Sequence, residues 1–186
     1  MTPGKIIIIE SADSGYPSRL RERLGAAAPT RLFALGNVEL LAPPKIALFC
    51  SARCPGSAIL AAYDQAAHWR DTGRGVISGF HSPVERECLR ILLRGPQPIV
   101  VCPARSLPRR IPPDWKGPLL AGRLLILSAF AESAVRIDAR LAAGRNEFVA
   151  ALADDVWFAH IALGGQMERL AQRVAAWSGR PSSPPS

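Results

Sequence analysis

A chain of 186 residues, 48% hydrophobic and 20% charged, has room for one domain plus a short extension and needs no disulfide or metal staple to hold its core. A net charge of +8 and a pI near 10.2 point to polyanionic partners, yet the basic residues are spread along the chain, which excludes a solvated basic tail. The apolar run Ile6-Ile7-Ile8-Ile9 is too short for a membrane span or a secretory leader, so a cytoplasmic protein with no membrane partner is expected.

Residues 5–10 suit an edge strand. Tyr16-Pro17-x-x-Leu20 opens a short helix that ends near Gly25, and Leu32-Phe33-Ala34-Leu35-Gly36-Asn37 is an apolar run closed by a turn signal. From Lys45 onward, strand-like runs at 45–49, 75–78, 98–102, 123–128 and 156–160 alternate with helical stretches. The helical stripes are Ile59, Ala62, Tyr63, Ala66 and Trp69; then Val84, Cys88, Ile91 and Leu92; then Met167, Leu170, Ala171, Val174 and Trp177. Residues 141–152 also read as a helix, with Leu141, Phe148 and Leu152 on one face.

Strands alternating with helices imply right-handed crossovers, and continuous apolar strands imply burial on both faces. The expected fold is therefore α/β, a doubly wound, mainly parallel sheet of about five or six strands with helices on both sides. Residues 1–42 are expected to form an N-terminal extension or edge segment, 43–178 the sheet domain, and the Pro/Ser-rich stretch 179–186 a disordered tail. Ligands of such sheets sit beyond the carboxyl ends of the strands, which singles out the loops 50–56, 79–82, 103–113, 129–145 and 162–165.

The most informative of these is Ser78-Gly79-Phe80-His81-Ser82-Pro83-Val84-Glu85, which turns from a strand directly into a helix. Ser82 fits the N-cap, Pro83 the first helical position and Glu85 the third, a capping box. A helix start of this kind aims backbone N–H groups at an anion beyond the sheet. Glu85 is the candidate catalytic acid, although the box already accounts for it. In the 50–56 loop, Ser51 offers a hydroxyl and Arg53 a donor fork suited to phosphate. The 103–113 loop carries Arg105, Arg109 and Arg110, which could follow a phosphate backbone, while Trp115 beyond it is expected to pack.

Arg145 shares a helical face with Leu141, Phe148 and Leu152, and an arginine on an apolar stripe calls for a partner. Were the helix to begin near Gly144 instead, Arg145 and Asn146 would lie at its N-terminus beside the other loops. Gly164-Gly165 permits a tight turn or close approach of backbone to a ligand. Cys50, Cys54, Cys88 and Cys102 lack the spacing of a zinc site and read as reduced structural thiols; His68 and His160 have no partner at metal spacing. No metal and no cofactor are expected.

Taken in order, Tyr16-Pro17-x-x-Leu20, Leu32 through Asn37, Lys45-Ile46-Ala47 leading to Ser51-Ala52-Arg53, Ser78-Gly79, Pro98-Ile99-Val100-Val101, the segment 122–128 and Arg145-Asn146 resemble the DprA/Smf family of DNA-processing proteins. The resemblance covers most of residues 16–165. It implies a Rossmann-like domain that binds single-stranded DNA, hands it to a recombinase in natural transformation, and forms a homodimer. It also implies a phosphate pocket lined by Ser51 and Arg53, Ser78 and Gly79, and Arg145 and Asn146. The chain departs from the family at Phe80 through Glu85, where Gly-Ile-Asp and a histidine are usual, and in the short Gly164-Gly165. The expected function is thus a non-enzymatic single-stranded DNA binder with Ser51, Arg53, Ser78, Gly79, Phe80, His81, Ser82, Arg105, Arg145, Asn146, Gly164 and Gly165 at the site. The alternative is a nucleotide or phosphoribosyl binder or hydrolase of the wider LOG-like superfamily.

Overall fold

The apolar runs from Lys45 onward form the parallel strands of one sheet in a computed structural model that describes residues 5–51, 53–130 and 139–178. These strands are β3 (Lys45–Phe49), β4 (Gly75–Ser78), β5 (Ile99–Val101), β6 (Leu124–Ser128) and β7 (Asp155–Phe158). β1 (Ile7–Glu10) and β2 (Arg31–Gly36) join them, so the sheet has seven strands in the order β1-β2-β6-β5-β4-β3-β7. The count exceeds the expected five or six because both N-terminal runs pair antiparallel at one edge, Phe33 opposite Ser128 and Ile9 opposite Leu32. The remaining pairs are parallel. β7 begins one residue earlier than its apolar run, at Asp155. Residues 1–4, 179–186 and 131–138 lie outside the described residues, and with them the expected tail and most of the 129–145 loop.

Alternate strand residues feed two cores. Leu48, Val76, Ile99, Val101 and Leu124 face α2 (Gly56–Asp71), α3 (Pro83–Leu93) and α4 (Pro113–Leu120). Ala47, Phe49, Ile77, Val100, Leu125 and Leu127 face α1 (Ser18–Leu24), α5 (Ala139–Leu152) and α6 (Gln166–Ser178). Ala62, Ala66 and Trp69 of the α2 stripe are buried, Trp69 meets Trp157 edge-on, and Trp115 packs against the same core. The chain steps outward from β3 to β6 and then crosses back to lay β7 on the other side of β3. The switch point, where such sheets take ligands, is therefore the crevice beyond β3 and β7.

The lower edge of the sheet is clamped by charge. Asp154 accepts the Lys45 backbone N–H at 2.8 Å and pairs with Arg19 of α1, while the Lys45 ammonium donates to the carbonyls of Leu41 and Pro43. Arg23 of α1 donates to the carbonyls of Ala150, Ala151 and Ala153 and so closes the C-terminus of α5. Burial pushes the Asp154 carboxyl up, but the Lys45 N–H and Arg19 outweigh it and hold it below its usual value. A depressed folded-state pKa contributes stability above the unfolded value and loses it as pH falls through the folded one. Asp154→Asn is expected to lower Tm by about 3 °C at neutral pH, roughly 1 kcal/mol. The difference from wild type should shrink progressively as pH falls below the ordinary carboxylate range and the Asp154 carboxyl takes up its proton; thermal unfolding across an acid series checks this.

Candidate nucleic-acid interface

β4 ends at Ser78 and the chain enters α3 within a few residues. The buried Ser78 hydroxyl donates to the Leu48 carbonyl of β3 at 2.8 Å and accepts the Phe80 N–H. Phe80 is buried and takes a φ of +47°, a left-handed conformation that costs an aromatic residue energy and persists only where its surroundings enforce it. The capping box forms as the spacing predicts: Ser82 Oγ accepts the Glu85 N–H, and the Glu85 carboxylate accepts the Ser82 N–H. Glu85 does more than cap. Its oxygens also accept the His81 N–H at 2.9 Å and the Cys50 N–H at 3.2 Å, tying the end of β3 to the start of α3.

Arg145 approaches this turn from α5. The helix runs Ala139–Leu152, so Arg145 and Asn146 lie mid-helix rather than at an N-terminus near Gly144. Arg145 is 5% exposed; its Nε donates to Asn146 Oδ1 at 2.8 Å and its Nη1 to the Cys102 carbonyl just past β5 at 3.2 Å. The guanidinium lies against the Cα of Gly79, where a Cβ would stand 1.2 Å from Nη1. That close approach is the reason for glycine at this turn. Among the described residues no carboxylate is within ion-pair distance of Arg145. Burial lowers its pKa, opposed chiefly by the charge of Glu85, and an arginine so placed stays protonated.

Ser51 belongs to a second, adjoining cluster. Its N–H and its hydroxyl both donate to the His160 carbonyl, and its Oγ accepts the Ala162 N–H at 3.1 Å. The hydroxyl therefore zips β3 to β7 across the switch point, and Gly164 and Gly165 follow in the turn it anchors. Arg53 and Arg105 are exposed on neighbouring loops and make no described contact with Arg145; Arg105 is fixed through its carbonyl, which accepts from Ser128 Oγ at 2.7 Å.

Some cations are ion-paired, and others, Arg94 and Lys116 among them as well as several at the carboxyl edge, are exposed without a side-chain partner among the described residues. Arg19, Arg31, Arg70, Arg74, Arg90 and Arg173 are ion-paired. Arg53, Arg86, Arg105, Arg109 and Arg110 are exposed, and none of their side chains has a hydrogen bond or ion pair among the described residues. All five lie on loops or in a first helical turn beyond the strand ends. Burial raises the thiols of Cys50, Cys88 and Cys102, the last two to about 12, so they stay neutral and unreactive. Among the described residues no group of three or more His, Cys, Asp or Glu could hold a metal ion, and no helix is long and apolar enough to cross a membrane.

The sequence model of the family described as DNA recombination-mediator protein A matches residues 6–163. The chain belongs to that family. Its fold is similar to that of DNA processing protein A (DprA) from Streptococcus pneumoniae, with a TM-score of 0.77 at 21% identity, over 97% of this chain and 64% of that one. It is also similar to DNA processing protein A from Helicobacter pylori, described for its mode of binding single-stranded DNA, with a TM-score of 0.71 at 21% identity, over 94% of this chain and 78% of that one. The chain thus spans less than two thirds of the pneumococcal structure. No curated protein matches it significantly in sequence.

In this DprA-family chain the structure adds groups that residue patterns alone did not mark. The Cys102 carbonyl anchors Arg145, and the buried Ser128 hydroxyl orders the 103–113 loop by bonding Arg105 O and the Phe130 N–H. Backbone acceptors leave no trace in residue type. Arg86 had a signal: it follows the capping-box glutamate by one position, which places a cation on the first turn of a helix facing the ligand edge.

Proposed function

We propose that the chain is a non-enzymatic binder of single-stranded nucleic acid that grips phosphates along the carboxyl edge of its sheet. Buried Arg145 carries the reading, because a guanidinium without a carboxylate at contact distance leaves positive charge at the edge where such sheets take ligands. The unpaired Arg53, Arg86, Arg105, Arg109 and Arg110 extend that charge outward, and the helix start at Ser82 adds backbone dipole of the same sign. Family membership and the DNA-binding relative from Helicobacter pylori point the same way. The reading extends to a cytoplasmic homodimer that passes the strand to a recombinase during DNA uptake.

Fluorescence anisotropy with a labelled single-stranded oligonucleotide tests it. The logarithm of the affinity should fall linearly with the logarithm of salt concentration. Replacing Arg105, Arg109 and Arg110 together by alanine should reduce that slope by about 2, at about 0.7 per phosphate contact. Undetectable binding at low ionic strength, or binding indifferent to salt, would overturn the proposal.

A further inference from the structure

The turn after β7 displays a side chain that phosphate binding does not use. In Ala162-Leu163-Gly164-Gly165 the Gly165 N–H donates to the Ala162 carbonyl at 3.1 Å, and Gly164 takes a φ of +72°, the pattern of a type II turn. A Cβ on Gly165 would stand 2.9 Å from the Ala162 carbonyl oxygen, so both glycines are demanded by the turn itself. The turn is held from both sides, by Ala162 N–H to Ser51 Oγ and by Gly164 N–H to the Glu168 carboxylate at 2.7 Å. At its tip Leu163 is 90% exposed, more than any other large apolar side chain among the described residues. A lone exposed leucine on a slack loop needs no explanation, but this one is presented by a fixed backbone at the switch point, through a bond to the residue two positions before Arg53.

We propose that Leu163 is a nucleobase contact, an apolar finger against which a base of the bound strand lies while the free arginines hold its phosphates. The inference rests on the nucleic-acid reading above and adds which atoms meet the bases. The favoured occupant is a base because the finger stands at the same carboxyl edge of the sheet as the unpaired cations, bonded to Ser51 at the start of the loop that carries Arg53, and because a base offers a flat apolar face of about the size of one side chain. A protein partner would need a contiguous apolar core, and the other exposed large apolar side chains, Leu60, Leu120 and Ile6 through Ile8, belong to other elements.

The experiment compares wild type, Leu163→Ala and Leu163→Trp with an oligothymidylate and with an abasic oligonucleotide of equal length. At 90% exposure Leu163 contributes little to folding, so all three should share one Tm. Leu163→Ala should bind oligothymidylate about fivefold more weakly, with an unchanged salt slope and unchanged affinity for the abasic strand. Leu163→Trp should restore or strengthen oligothymidylate binding, with quenching of the added indole. Equal affinity of wild type and Leu163→Ala for oligothymidylate would overturn this inference while leaving the phosphate grip intact. Failure of the wild type to bind either strand would overturn both.

Discussion

Gly79→Ala is expected to destabilise the protein by about 3 kcal/mol and to reduce oligonucleotide affinity by at least about tenfold, although it adds a single methyl group. The new Cβ would lie 1.2 Å from Arg145 Nη1 and 1.9 Å from Cζ, too close for any small adjustment, so the guanidinium has to leave. Leaving strips the Cys102 carbonyl of its donor and separates Nε from Asn146 Oδ1 in a region closed to water. An orphaned buried acceptor costs about 1–3 kcal/mol, and a charge forced into apolar surroundings costs more. The clash also predicts strong non-additivity. With Arg145→Ala in the background there is nothing left to collide with, so Gly79→Ala should become nearly neutral. Urea melts of the four proteins would then give a coupling energy of about 2 kcal/mol or more. Additive losses would mean that the cost of a methyl at position 79 arises elsewhere, and would sink the account of this glycine as the seat of Arg145.

The contrast between what residue patterns reveal and what they hide runs along contact order. β3 and β4 match their predicted limits to the residue, because each is an apolar run bounded by proline or glycine and buried on both faces. The capping box was legible because its partners lie three positions apart and its geometry is local. The family resemblance read from short motifs is the family to which the chain belongs. The rest depends on residues far apart in sequence. Glu85 reaches Cys50 across 35 positions, and Arg145 reaches Cys102 across 43. Both acceptor and donor there are main-chain groups that every residue carries, so no residue type advertises them. The start of α5 stayed open for a related reason. Gly144 weakens a helix by only about 1 kcal/mol, which tertiary packing overrides, so a glycine beside an arginine reads equally as a helix interior or a boundary. Residues 5–10 were legible as an edge strand, and β1 does lie at the sheet edge; what stayed hidden was that the 32–37 run is the strand β2 that joins it to β6, because that pairing is fixed by residues far apart in sequence.

Glu85→Gln separates the structural role of this carboxylate from a chemical one. One oxygen of Glu85 accepts the Cys50 N–H, and the other accepts the N–H groups of both His81 and Ser82. Glutamine keeps one acceptor and turns the other into a donor. With its oxygen toward His81 and Ser82, the new amino group points at the Cys50 N–H; reversed, it points at two donors. Either orientation leaves a buried N–H facing another donor, at a cost of about 1–3 kcal/mol, which a denaturant melt reads directly. The binding result should go the other way. Glu85 is the main negative charge opposing the burial of Arg145, so removing it leaves the crevice more positive. Below the melting transition, Glu85→Gln should therefore bind a single-stranded oligonucleotide at least as tightly as wild type, with a salt slope at least as steep. A catalytic acid would behave differently, since its amide would fold normally and lose turnover of a nucleotide. A Glu85→Gln protein of wild-type stability, or a stable one that binds more weakly, would show that the carboxylate does something other than join β3 to α3 while balancing a buried arginine.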